Sequence, residues 1–81
     1  MIDFENVRLR VDDILKKWGE KGIVAAGDSG TDWIFKGHKI SGDELSGSVI
    51  LVDKSNGEMR LFNAGRRRDR DVTRTARPIK I

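Results

Sequence analysis

The sequence predicts an α+β fold in which an N-terminal amphipathic helix packs on one face of an antiparallel sheet of four to five strands, arranged as a meander. Two observations predict this fold. Apolar residues recur every three or four positions over residues 4–18, and two runs rich in strand-forming residues at 48–62 flank a turn at 53–57. The chain has 81 residues and no cysteine, so we expect one small domain stabilised by packing alone.

The helix is predicted from six apolar residues that lie within about 100° of one helical face, whereas Leu9 points away from that face. Asp3 is a suitable N-cap, and Gly19 or Gly22 supplies the left-handed residue that ends the helix. Because Trp18 and Trp33 both follow apolar periodicities, we expect both indole rings in the core. The residues of the helical stripe are Phe4, Val7, Val11, Ile14, Leu15 and Trp18.

Two further strands are predicted between the helix and the hairpin. One is short and β-branched at residues 23–26, and the other alternates over 31–36 with Trp33 and Phe35 directed at the helix. Glycines, serines and charged residues at 37–47 predict a loop, although Lys39-Ile40 can extend the preceding strand. Short connections of this kind favour antiparallel pairing.

The first strand of the central hairpin is apolar on both faces, since Val49 and Leu51 alternate with Ile50 and Val52. Such a strand needs cover on each side. Three candidates remain open for the cover over Ile50 and Val52, namely the C-terminal arm, a second copy of the chain or a foreign partner.

Positive charge is concentrated at the C-terminus. Residues 1–65 hold 9 Lys and Arg against 11 Asp and Glu, whereas residues 66–81 hold 7 against 2. We therefore divide the chain into an α+β domain at 1–65 and an Arg-rich arm at 66–81. Residues 72–76 have β propensity and are interpreted as an edge strand that Pro78 would end, with disorder as the alternative.

Few residues carry a catalytic pattern. Gly27-Asp28-Ser29-Gly30 matches the tetrapeptide around the nucleophile of chymotrypsin-like serine peptidases, but a short chain whose only histidine, His38, follows the serine cannot build that triad. His38 with Asp43 and Glu44 lacks the fixed spacing of metal ligands. We expect no enzymatic activity, no cofactor and no metal site, and we interpret Asp53 as a turn residue that binds nearby amides.

The arginines are the strongest chemical signal in the chain. Guanidinium groups suit phosphates, so nucleic-acid binding is the alternative function, through Arg66, Arg67, Arg68, Arg70 and Arg74. Against it, Asp69 and Asp71 interrupt the run, and neither an interleaved aromatic residue nor a recognition helix is predicted. The leading hypothesis is a protein-binding module with two candidate surfaces. One is the 37–47 loop, with His38, Asp43 and Glu44, and the other is the arginine arm, with Arg66, Arg67, Arg68 and Arg70.

A resemblance to a known family supports protein binding as the leading hypothesis, ahead of nucleic-acid binding. The run Trp33-Ile34-Phe35 and the hairpin signature Asp53-Lys54 with Gly57-Glu58 are similar to those of the small bacterial immunity protein 35 family and its YrhB-like relatives. The likeness covers residues 4–64. It implies a short cytosolic α+β protein that is not an enzyme and that binds and neutralises, or otherwise accompanies, another protein. The segment from Arg66 onward departs from the family pattern.

The expected partners and location follow from these observations. We expect a protein partner, with a toxin-immunity type inhibitor as one form of that function. Neither a secretory signal nor an apolar run long enough to span a membrane is predicted, so the expected location is the cytoplasm and no membrane association is expected. The sequence permits either a monomer or a homodimer.

Overall fold

The computed structural model describes residues 3–39 and 47–80. Two helices and five strands lie within them, and their order confirms the α+β fold class. The elements are α1 (Phe4–Lys17), β1 (Glu20–Asp28), β2 (Asp32–Lys39), β3 (Val49–Asp53), β4 (Met59–Leu61), α2 (Arg67–Thr75) and β5 (Arg77–Ile79).

The first helix forms as its apolar spacing predicts. Asp3 is the N-cap, and its carboxylate accepts a hydrogen bond from the amide of Glu5 at 3.3 Å. Gly19 follows the C-terminal end with φ +84°, a conformation that glycine adopts without steric cost. Val7, Val11 and Leu15 are buried along the stripe, so this part of the prediction is confirmed.

The five strands form one antiparallel sheet in the order β4-β3-β2-β1-β5. Strands β1 to β4 are a meander, as predicted, and β5 returns to pair with β1. The hairpin turn closes through a bond from the amide of Asp53 to the carbonyl of Glu58 at 2.9 Å. Gly57, with φ +76°, supplies the left-handed residue that the turn requires.

The main core lies between α1 and the sheet. Trp33 and Phe35 face the helix as predicted, and Phe4 packs against both rings at centroid distances of 5.5 and 5.6 Å. The fully buried members of this core are Val7, Val11, Leu15, Phe35, Ile50 and Val52. The helix therefore covers Ile50 and Val52, and none of the three covers considered for them is needed.

The opposite face of the sheet is covered by α2. Val72 of α2 is buried there, and Leu51, directed away from α1, is fully buried. The edge strand expected at residues 72–76 is thus wrong, because residues 72–75 belong to α2, Ala76 is its C-cap and the edge strand β5 begins at Arg77. Residues 66–80, expected to form an arm, instead contribute a helix and a strand to the fold.

Several strand boundaries also differ from the sequence prediction. β1 is longer than the strand predicted at residues 23–26, since it runs from Glu20 to Asp28. Pro78 lies inside β5 and does not end a strand, which an edge strand allows because only one side of it is hydrogen-bonded. β2 continues through Gly37 and His38 to Lys39, so the predicted loop begins later than residue 37. The remainder of that loop, residues 40–46, lies outside the described residues.

A buried carboxylate joins the start of β1 to the segment that leads into β3. Glu20 is buried, and its two oxygens accept hydrogen bonds from the amide of Ser48 at 3.0 Å and from its hydroxyl at 2.6 Å. The side chain of Ser48 and the backbone before β3 are thereby fixed against β1.

Candidate functional site

The two surfaces expected to bind a protein lie apart in the structure. Arg68 lies beside Asp32, at the start of β2, with Nη2 3.6 Å from Oδ1. His38 is six residues further along the same strand, or about 20 Å away at the usual rise per residue. Asp43 and Glu44 lie outside the described residues. His38 and the arginines therefore occupy opposite ends of the sheet.

The peptidase-like tetrapeptide spans the end of β1 and the start of the turn into β2, since Gly27 and Asp28 belong to β1 and Ser29 and Gly30 follow it. The hydroxyl of Ser29 donates to the carbonyl of Asp32 at 3.1 Å, and the carboxylate of Asp28 accepts from the amide of Gly30 at 2.7 Å. His38 lies too far along β2 to act as a base for this serine. The polar side chains of the turn stabilise the connection between β1 and β2.

Asp53 also has the structural role expected of it. One carboxylate oxygen accepts from the amide of Ser55 at 2.8 Å and from its hydroxyl at 2.6 Å, and the other accepts from Arg68 at 3.2 Å. The hydrogen bonds from the side chain and backbone of Ser55, with a smaller contribution from Arg68, lower the pKa of Asp53. This carboxylate fixes the hairpin turn and one arginine of α2.

A buried ionic network fastens α2 to the sheet. Arg60 of β4 donates from Nε to Asp69 at 3.0 Å and from Nη1 to Asp32 at 3.1 Å, and both aspartates are almost completely buried. The second oxygen of Asp69 accepts from the amide of Asn63 at 3.0 Å. Burial lowers the pKa of Arg60, but the bonds to Asp69 and Asp32 outweigh burial and raise that pKa above its usual value.

The sequence offered little that would identify this network. Asp32, Arg60 and Asp69 are far apart in the chain, and each occurs where a solvent-exposed charge is the ordinary expectation. Val72 and Thr73 follow Asp69 by three and four residues, so the three share one helical face. Only Val72 is apolar, and the face therefore shows no apolar stripe. Only the tertiary packing of α2 shows that this aspartate faces inward.

An exposed apolar patch lies where α1 ends beside the edge strand β4. Trp18 is 52% exposed and Leu61 is 56% exposed, so the expectation that Trp18 is a core residue is wrong. The last residue of α1 that is buried against the sheet is Leu15, and the helix ends at Lys17. Trp18 therefore lies beyond the part of the helix that packs on the sheet. With Ile14, Ile50 and Met59, these two side chains line a shallow cavity of about 270 Å³.

The backbone of β4 beside this patch faces an open edge. Val49 and Asp53 of β3 are hydrogen-bonded to Phe62 and Glu58, respectively. In an antiparallel pair every second residue bonds the neighbouring strand, so the N–H and C=O groups of Met59 and Leu61 point away from β3. No strand lies beyond β4 in the part of the chain that the structure describes.

The comparisons with known proteins identify no relative. Models of protein families, curated proteins and solved structures were all searched with the chain, and no match was found. None of the helices in the described segments is long and apolar enough to cross a membrane. Over residues 3–39 and 47–80, no group of three or more histidine and acidic side chains is placed to hold a metal ion.

Proposed function

We propose that this chain is a non-enzymatic protein-binding module that adds an extended segment of its partner to the free edge of β4. One observation carries the proposal: the outward backbone groups of Met59 and Leu61 lie beside the exposed apolar patch of Trp18 and Leu61. In this mode of recognition, backbone hydrogen bonds provide affinity and side-chain pockets provide specificity.

The two edges of the sheet differ in a way that supports β4. At the other edge, β5 contains Pro78, which has no N–H to donate, between the exposed side chains of Arg77 and Lys80. Proline and charged residues are the usual protection of an edge strand against further pairing. β4 contains no proline, and its one charged side chain, that of Arg60, is bound to Asp32 and Asp69, so the charge nearest to this edge is that of the exposed Glu58 just before the strand.

We assign this edge to a segment of a different protein, since the family that residues 4–64 resemble consists of proteins that bind another protein. A partner segment with an apolar residue facing Trp18 and Leu61 would fill the cavity beside the edge.

The resemblance of residues 4–64 to the immunity protein 35 family supports a particular form of this function. A toxin-immunity type inhibitor would neutralise its partner by occupying a segment of it. The edge strand and the apolar patch are the surface that we assign to that contact, in place of the separated residues His38 and Arg66 to Arg70.

The test compares the chain and two single variants as baits in the native cell. Leu61→Lys places a charge on the proposed edge, and Leu9→Lys is the matched control because Leu9 is 57% exposed on another surface. We expect at least one protein to be retained by the wild type and by Leu9→Lys but lost with Leu61→Lys. If no protein behaves in this way, the proposed function is wrong.

A further inference from the structure

We propose that the outward side of α2 binds the phosphodiester backbone of a nucleic acid. The surface consists of Arg66, Arg67, Arg70 and Arg74, and we call it the arginine ridge. It lies on the face of the sheet opposite α1 and the Trp18 patch, so this inference goes beyond the proposed function and does not depend on it.

The geometry of the helix sets the arginines in a row. Asp69 and Val72 face the sheet and are buried, so the opposite side of α2 faces solvent. Arg70 and Arg74 lie one turn apart on that side of α2, and the N-cap residue Arg66 precedes Arg70 by one further turn, which spaces the three by about 6 Å along the helix axis. One strand of a nucleic acid advances about 3.4 Å per phosphate, so alternate phosphates have a similar spacing.

The two aspartates of α2 offset the positive charge of the arginine ridge less than the sequence suggests. Asp69 points inward, and its oxygens are bound to Arg60 and to the amide of Asn63. Arg68 is also directed to the protein, where it bonds Asp53, and it is not part of the ridge. The ridge therefore presents four arginines against a single aspartate, Asp71.

Asp71 interacts with two members of the ridge. It lies 3.2 Å from Arg74 and 4.0 Å from Arg67, whose side chains are still 77% and 88% exposed. Within the described residues, no ion pair is formed by Arg66 or Arg70. Exposed guanidinium groups of this kind can form bidentate hydrogen bonds with phosphate oxygens.

The same features exclude a membrane surface as the favoured partner. A helix that lies in a lipid interface inserts an apolar face, and the apolar residue of α2, Val72, is already buried against the sheet.

No aromatic side chain lies on the ridge to stack on bases. Binding through such a surface contacts the backbone and does not discriminate base sequence.

The test is fluorescence anisotropy with labelled 20-nucleotide probes of mixed sequence, as RNA and DNA and in single-stranded and duplex form. The four probes distinguish the sources of the phosphodiester backbone. The wild type is compared with the triple variant Arg66→Ala, Arg70→Ala, Arg74→Ala, and with a control that removes the same charge elsewhere, Arg10→Ala, Lys17→Ala, Lys21→Ala. Circular dichroism confirms that each variant is folded.

We expect the ridge variant to lose at least about tenfold in affinity at low salt and to lower the slope of log K against log salt by about 2–3, since each phosphate contact contributes about 0.7–0.9. The control should change the slope little, because its three residues lie outside α2. Asp71→Asn should bind more tightly than the wild type, because it frees Arg74 and Arg67.

Three results would overturn the proposal. One is an absence of binding to every probe at low salt. Another is an equal loss of affinity in the ridge variant and the control. The third is equally tight binding to polyglutamate or to phosphatidylserine vesicles, which would identify a general anion surface or a lipid surface instead of a nucleic-acid site.

Discussion

Arg60 and Asp69 join the edge strand β4 to the helix α2 through a hydrogen bond of 3.0 Å between Nε and Oδ1. The same aspartate oxygen lies 3.0 Å from Nη2 of Arg60, which is buried and not aligned for a hydrogen bond. The pair connects two candidate binding surfaces, since β4 carries the free edge and α2 carries the arginine ridge.

We predict that Asp69→Ala lowers the free energy of unfolding by about 2–3 kcal/mol, because it leaves Arg60 and the amide of Asn63 without their shared acceptor. Urea denaturation measures the loss. Asp71→Ala is the matched control in the same helix, and we expect it to change stability by less than about 0.5 kcal/mol. Equal effects of the two variants would show that the buried network does not hold α2.

Glu20 provides a second test of a buried carboxylate. Glu20→Ala removes the acceptor for the amide and hydroxyl of Ser48. We expect the free energy of unfolding, measured by thermal denaturation, to fall by about 1–3 kcal/mol. Glu20→Gln keeps one carbonyl oxygen for the amide and can donate to the hydroxyl, so it should recover most of that loss. If the glutamine and alanine variants are equally destabilised, the hydrogen bonds to Ser48 are not the cause.

Stability should decrease in acid because two partly exposed carboxylates are bound in their ionised form. The amide of Ile23, at 3.0 Å, and then Lys16 lower the pKa of Asp12. Lys54, at 2.6 Å, and then the amide of Gly30 lower the pKa of Asp28. Each contribution is present above the unfolded pKa of about 3.9 and is lost as the pH falls through the lower folded value.

The corresponding variant is the double substitution Asp12→Asn, Asp28→Asn. We expect it to be less stable than the wild type at pH 7 and to lose less stability between about pH 5 and pH 2. Chemical denaturation at several pH values measures both quantities. An unchanged pH dependence would mean that these carboxylates do not contribute to acid unfolding.

Local sequence patterns predicted the parts of the fold that local forces determine. The apolar stripe and the Asp3 cap specify α1, and the turn with Gly57 specifies the hairpin. Trp33 was placed correctly because strand alternation decides which face it occupies. Trp18 was misplaced because helical periodicity continues past Lys17, whereas the surface that buries the helix does not.

The second helix could not be predicted from the same signals. Its buried residues are an aspartate and a valine, so the segment has no apolar stripe and reads as a solvated basic arm. What makes Asp69 an inward residue is Arg60, nine positions earlier, and what fixes Arg68 is Asp53 across the hairpin. These contacts depend on tertiary structure, and so does the division of the arginines into inward and outward sets.

The most direct test of the proposed function is amide hydrogen exchange along β4, with and without the protein that the Leu61→Lys comparison identifies. In the free chain, the outward amides of Met59 and Leu61 should exchange much faster than that of Arg60, which bonds β3. With the partner at saturation, we expect both outward amides to exchange at least about tenfold more slowly. Unchanged exchange at Met59 and Leu61 in a saturated complex would contradict the assignment of this edge as the binding site.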